Sequence, residues 1–202
     1  MPALFVGHGN PMNAIEDNLW SRAFLSMATR LPTPQAILCI SAHWYINHTQ
    51  VTGSSHPKTI HDFGGFPREL FEVEYPAPGA PALANKAVST LGHYGAEVNH
   101  DWGLDHGTWS VLKQLKPAAD IPVLQLSIDY TKSPKDLLEI GKVLGSLREE
   151  GVLVMGSGNI THNLRDAMKH WGQTDPATPE WAARFDAEVA QAMEQHDNEY
   201  LA

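Results

Sequence analysis

Four short apolar runs constrain the fold of this chain more than any other feature: residues 3–6, 36–41, 122–128 and 152–156. None shows the strict alternation of apolar and polar residues that marks a strand with one wet face. Such runs suit strands buried on both sides, as in parallel sheets covered by helices. Between the third and fourth, Ser133 is placed to cap a helix and Pro134 to occupy its first position. Leu137, Ile140, Leu144 and Leu147 then make one apolar stripe before Gly151 ends the run. Strand, helix and strand in that order imply a right-handed crossover and parallel pairing. Further helices are predicted over 18–30, over 81–91 after Pro81, and over 108–115 after Asp105-His106-Gly107. The last starts near Thr178-Pro179-Glu180 and carries Trp181, Phe185, Val189 and Met193 at four-residue spacing, a stripe expected to pack into the core. The predicted fold class is α/β: one domain over 1–202, with a mostly parallel central sheet flanked by helices.

At 202 residues and 43% hydrophobic, the chain is long and apolar enough to bury a substantial core. A net charge of -9 and the lack of any Lys/Arg cluster argue against nucleic acid or an anionic membrane as partner, and for a small molecule. No run is long enough to span a bilayer, and the first residues do not resemble a secretory peptide. The single cysteine, Cys39, lies inside an apolar run, where it reads as a buried small hydrophobe in a reducing, cytoplasmic setting. Sequence leaves the oligomeric state open.

Residues 45 to 80 show no sustained periodicity and are rich in Gly, Pro, His and aromatic residues. Long irregular segments in compact domains tend to be functional. Phe63, Phe66, Phe71 and Tyr75 point to an ordered flap, with His61, Phe63 and Phe66 as candidates to face a bound substrate.

Three histidines stand at the ends of apolar runs: His8 after residues 3–6, His43 after 36–41 and His162 after 152–156. Open α/β sheets place their chemistry at the carboxyl edge of the strands, where these imidazoles would gather. Glycines on both sides of His8 let the backbone turn off its strand, and small residues before His43 leave space for an ion. Neutral imidazole suits zinc and iron alike, so the pattern reads as a metal enzyme. The glycine-rich stretch Gly156-Ser157-Gly158 offers an anion nest as a rival reading, but no lysine or P-loop pattern accompanies it. Asp105-His106-Gly107 supplies a fourth histidine at a helix start, where Asp105 or Thr108 could cap or orient. The remaining histidines lack such settings and are expected to be solvated or structural. No Gly-x-Ser-x-Gly elbow, HExxH or CxxC pattern occurs.

Taken together, Gly7-His8-Gly9-Asn10-Pro11, Ser41-Ala42-His43-Trp44, Ile60 to Pro67, Tyr75 to Gly79, Asp105-His106-Gly107 and Gly158 to Asn163 resemble the class III extradiol ring-cleavage dioxygenases of the LigB superfamily. The resemblance is strongest to the 4,5-DOPA dioxygenase extradiol branch and covers the whole chain in order. It implies a non-haem ferrous ion, with zinc often in its place, and cleavage of a catechol beside its diol by O2 to a semialdehyde. By matching motifs, His8 and His43 would be metal ligands, His162 the acid/base histidine, and His106 an assistant in the pocket. In that branch a third ligand comes from a carboxyl-terminal histidine segment, and in other class III enzymes from glutamate. This sequence contains neither before Ala202, so the chain is expected to lack the family's carboxyl-terminal segment, to hold metal less well and to expose apolar surface. Two rival functions use the same residues: a zinc-dependent hydrolase with His162 as base, and a Memo-like, non-catalytic binding protein.

Overall fold

Three of the runs that lack alternation form inner strands with both faces covered, whereas residues 3–6 form an edge strand on which Phe5 is 49% exposed. The computed structural model describes residues 1–170 and 177–202, His170 by its backbone alone, and divides into two compact units, Met1–Gly158 and Asn159–Ala202.

In the first unit, β1 (Ala3–Gly7) leads to α1 (Leu19–Arg30), β2 (Ala36–Ile46) and the short β3 (Gln50–Thr52). Then follow α2 (Arg68–Phe71), α3 (Pro81–Thr90), β4 (Glu97–Asn99), α4 (His106–Leu115), β5 (Val123–Asp129), α5 (Pro134–Leu144) and β6 (Val152–Gly158). The sheet order is β1-β6-β2-β5-β3-β4, and every pairing is parallel except β3 with β5. All four predicted strands are present. β3 and β4 were not predicted, because three residues each carry too little pattern.

Consecutive residues of β2 show why the runs do not alternate. Ile37 and Cys39 enter a core shared with Phe24 of α1 and with Trp109 and Leu112 of α4, whereas Leu38 enters a second core with Ala84 of α3 and Ile140 and Leu144 of α5. β2 therefore buries both faces under helices, which only an unbroken apolar run permits. The predicted caps hold: the Ser133 side chain accepts from the Asp136 backbone and the Asp136 side chain answers to Ser133, a reciprocal capping box. The stripe through Leu147 is split, however, between α5 and a 3-10 turn over Gly145–Glu150.

The second unit holds α6 (Leu164–Ala167), α7 (Glu180–Glu194) and α8 (Asn198–Leu201). Here one expectation fails. Trp181, Phe185 and Met193 are 41%, 42% and 47% exposed, and α7 buries Ala182 and Ala192 instead. Four-residue spacing tells which side chains share a helix face, but not whether anything covers it. Among the described residues no helix is long and apolar enough to cross a membrane.

Candidate metal centre

Three local devices bring three imidazoles together. At the end of β1 the chain turns through Gly9, whose φ of +62° is left-handed and favours glycine. His8 stays tied to the neighbouring strand, its backbone N–H donating to the Gly158 carbonyl at 3.2 Å, and only 2% of the residue is exposed. In β2 the register with β5 shifts between Ile40 and Tyr45, and His43 lies within that irregularity. Such a shift re-aims a side chain at a strand end. The third imidazole comes from the start of α4, where Asp105 is the cap, its Oδ1 accepting from the Thr108 backbone at 3.2 Å, and His106 is the first helical residue. α4 can lie close on β2 because residue 107 is glycine: a Cβ there would sit 2.4 Å from Ser41 Oγ and 2.9 Å from His43 Cδ2.

Each of His8, His43 and His106 offers one ring nitrogen to a group whose members all lie within 4.8 Å of one another. His8 Nε2 and His43 Nε2 are 3.1 Å apart, and the His43 and His106 ring centroids are 3.8 Å apart. Two nitrogens bound to one zinc at tetrahedral angles stand about 3.3 Å apart, so the His8–His43 spacing suits a shared cation. The His8 tautomer follows from its neighbour. The Ser157 hydroxyl donates to the Gly107 carbonyl, so its oxygen, 3.0 Å from His8 Nδ1, accepts the Nδ1 proton and leaves Nε2 with its lone pair toward His43. Metal-bound histidines use their second nitrogen in this way. The donor set, three imidazoles with no thiolate, fits zinc or ferrous iron.

Around the imidazoles lie two carboxyl groups of different character. Asp62 Oδ1 accepts from the His106 backbone N–H and from His106 Nδ1, both at 2.9 Å, and Asp62 Oδ2 lies 3.5 Å from His43 Nδ1. Burial pushes the Asp62 carboxyl up, but the hydrogen bonds and charge of His106 outweigh it and leave the group below the ordinary carboxylate value. Asp105 is fully buried, its Oδ2 accepting from Gln125 Nε2 at 2.8 Å. There burial prevails over the hydrogen bonds from Gln125 and Ser41, and the carboxyl is held above its ordinary value. Cys39 is wholly buried and takes the Thr108 hydroxyl at 3.2 Å, and burial pushes its thiol up, far from any reactive role.

The aromatic flap touches the centre at one point. Phe63 meets His106 edge-on with ring centroids 5.4 Å apart, and it packs with Phe66 and Phe71. His61 is turned to bracing this segment, its Nε2 bonded to the Val73 carbonyl at 3.0 Å and its ring beside Phe63 and Trp109. His162 belongs to the second unit, in the exposed stretch before α6. Sequence reasoning named His8 and His43 as metal ligands and His106 only as an assistant in the pocket, whereas the structure gathers all three imidazoles in one group; it also missed three supports. Asp62 and Ser157 lie inside motifs already quoted, with nothing in their spacing to mark them. Gln125 carried a signal, an amide set in an apolar run.

An open, mostly parallel sheet with three imidazoles collected at its carboxyl edge defines the class: an α/β protein with a candidate non-haem metal centre. Residues 3–201 match the family described as the catalytic LigB subunit of aromatic ring-opening dioxygenase, and the chain belongs to that family, as an extradiol dioxygenase of the DOPA-like branch. It is 48% identical over 190 residues to 4,5-DOPA dioxygenase extradiol of Escherichia coli (strain K12), which covers 94% of this chain and 69% of that protein. The protein of the same name from Beta vulgaris is 40% identical over 195 residues, covering 94% and 71%. The crystal structure of an uncharacterized protein from Escherichia coli K12 aligns with a TM-score of 0.80 at 42% identity, covering 95% of this chain and 72% of that one.

Proposed function

We propose that this enzyme opens a catechol ring beside its diol, using O2 and a non-haem ferrous ion held by His8, His43 and His106. The product is a semialdehyde that keeps both atoms of O2. The observation that carries this reading is the convergence of three imidazoles within 4.8 Å, with His8 locked by Ser157 into the ligating tautomer. The DOPA-like substrate rests on relatives named for that compound. When bound, an iron with vacant positions supplies the electron relay that lets a closed-shell ring react with dioxygen. Zinc fits the same nitrogens and would fill the site without that capacity.

The protein's own part is to hold and to move protons. His162 acts as the acid/base group, taking a proton from the catechol and returning it later, a task that histidine commonly performs in enzymes. Phe63 gives an apolar wall beside His106 against which an aromatic ring can rest, Phe66 backs it, and His61 fixes the flap that carries both. A reducing cytoplasm would keep the iron ferrous, and we place the enzyme there. The test is to reconstitute metal-free protein with ferrous salt, add DOPA, and compare air with argon. A yellow semialdehyde in air alone is the expected result. No ring-opened product in air, with iron demonstrably bound, would remove the assignment.

A further inference from the structure

The centre contains one group that reaches two of its three imidazoles. Asp62 directs Oδ1 at His106 Nδ1 (2.9 Å) and Oδ2 toward His43 Nδ1 (3.5 Å), and it accepts the His106 backbone N–H as well. An ionised carboxylate is acceptor-only at both oxygens. His106 Nδ1 is hydrogen-bonded to it and so carries its proton, and at 3.5 Å the negative charge favours a His43 proton on Nδ1 over a lone pair turned toward the carboxylate, which leaves both Nε2 atoms as acceptors. His43 Nε2 is the atom that stands 3.1 Å from His8 Nε2. We propose that Asp62 is the positioning residue of the metal centre: one carboxylate sets tautomer and orientation of His43 and His106 together, as Ser157 does for His8.

The placement of Asp62 gives this role a second consequence. The residue belongs to the irregular flap, between His61, which is anchored to Val73, and Phe63, which meets His106 edge-on. The same carboxylate that orients the rings therefore docks the flap on the start of α4, so that the aromatic wall and the cation seat are assembled by one contact. Its side chain is 19% exposed, enough shielding for the hydrogen bonds to hold against water.

No other side-chain type of this size can make the arrangement. In Asp62→Asn, one end of the amide still accepts from His106 Nδ1–H, but the other becomes an N–H donor aimed at His43 Nδ1. His43 would then move its proton to Nε2, the nitrogen required for metal. The inference rests on the metal-centre reading, and the experiment separates the two. Long-range 15N histidine spectra of the metal-free full chain, followed over a pH series, read each tautomer without any ion. Zinc titration against a competing chelator reads affinity. In the wild type, His43 and His106 should both be Nδ1–H. In Asp62→Asn, His106 should stay so while His43 becomes Nε2–H, and zinc affinity should fall about 10–100-fold, the usual range for a lost outer partner. Overall loosening of the flap would not invert one ring and spare the other. An Nε2–H tautomer at either ring in the wild type overturns the proposal whether or not the variant folds, as does an Asn variant with both rings and affinity unchanged. Failure of the wild type to bind zinc would instead defeat the metal reading and leave the tautomer test standing.

Discussion

Gly107→Ala should damage the metal centre through a single methyl group. The added Cβ would lie 2.4 Å from Ser41 Oγ and 2.9 Å from His43 Cδ2, both below any ordinary contact. Ser41 cannot withdraw: it is 0% exposed, and its Oγ accepts the His43 backbone N–H at 3.2 Å. The His43 ring must therefore yield, away from α4 and out of its 3.1 Å approach to His8. Overpacking of this kind costs about 1–3 kcal/mol. Alanine's helix propensity offsets at most about 1 kcal/mol, and less in a first turn. Gly141→Ala is the internal control, since it lies within α5 and a Cβ there meets nothing within 4 Å. That variant should gain about 0.5–1 kcal/mol, or roughly 1–4 °C in Tm for a chain of this size. The two substitutions make the same chemical change, so their difference isolates the clash. Calorimetric Tm values should separate by at least about 2 °C, and zinc affinity should fall about 10-fold or more in Gly107→Ala alone. If both alanine variants matched in Tm and zinc affinity, the close approach of α4 to β2 would not be what sets His43.

Other expectations follow from the same contacts. Ser157→Ala removes the acceptor that fixes the His8 tautomer and the donor to the Gly107 carbonyl; zinc affinity should drop about 10–100-fold and unfolding free energy by about 1–3 kcal/mol, read by chelator competition and denaturant titration. His162→Ala should keep its metal, by elemental analysis, while losing about 10²–10⁴-fold in turnover, and undiminished ring cleavage would remove His162 from the mechanism. The carboxyl of Asp62 is lowered in the folded chain, so between the folded and unfolded values the unfolded state binds more protons and stability falls with falling pH. Its contribution should be complete above about pH 5 and fade as pH drops through the ordinary carboxylate range and below, which denaturant curves of wild type and Asp62→Asn at several pH values can follow.

What the sequence made legible was the part that depends on pattern. Ile37, Leu38 and Cys39 had to be consecutive and apolar because they enter opposite cores, and that run announced a strand buried on both faces. His8 and His43 could be placed at one sheet edge because strand ends of a parallel sheet share that edge. His106 was visible as the first residue of a capped helix, but its arrival beside His43 depends on how closely α4 approaches β2, a distance that no spacing encodes and that the missing side chain of Gly107 permits. Asp62 was hidden for a related reason: it sits in an irregular segment, where no period says which way a side chain turns. The α7 stripe misled, because amphipathic spacing marks a face that could be buried and Trp181, Phe185 and Met193 remain exposed.

The central claim is that three particular nitrogens share one cation. Anomalous diffraction from crystals of the zinc-loaded protein tests it most directly. One strong peak should lie about 2.0–2.2 Å from Nε2 of His8, of His43 and of His106. A peak seated elsewhere, or one that leaves any of these three rings turned away, would contradict the account.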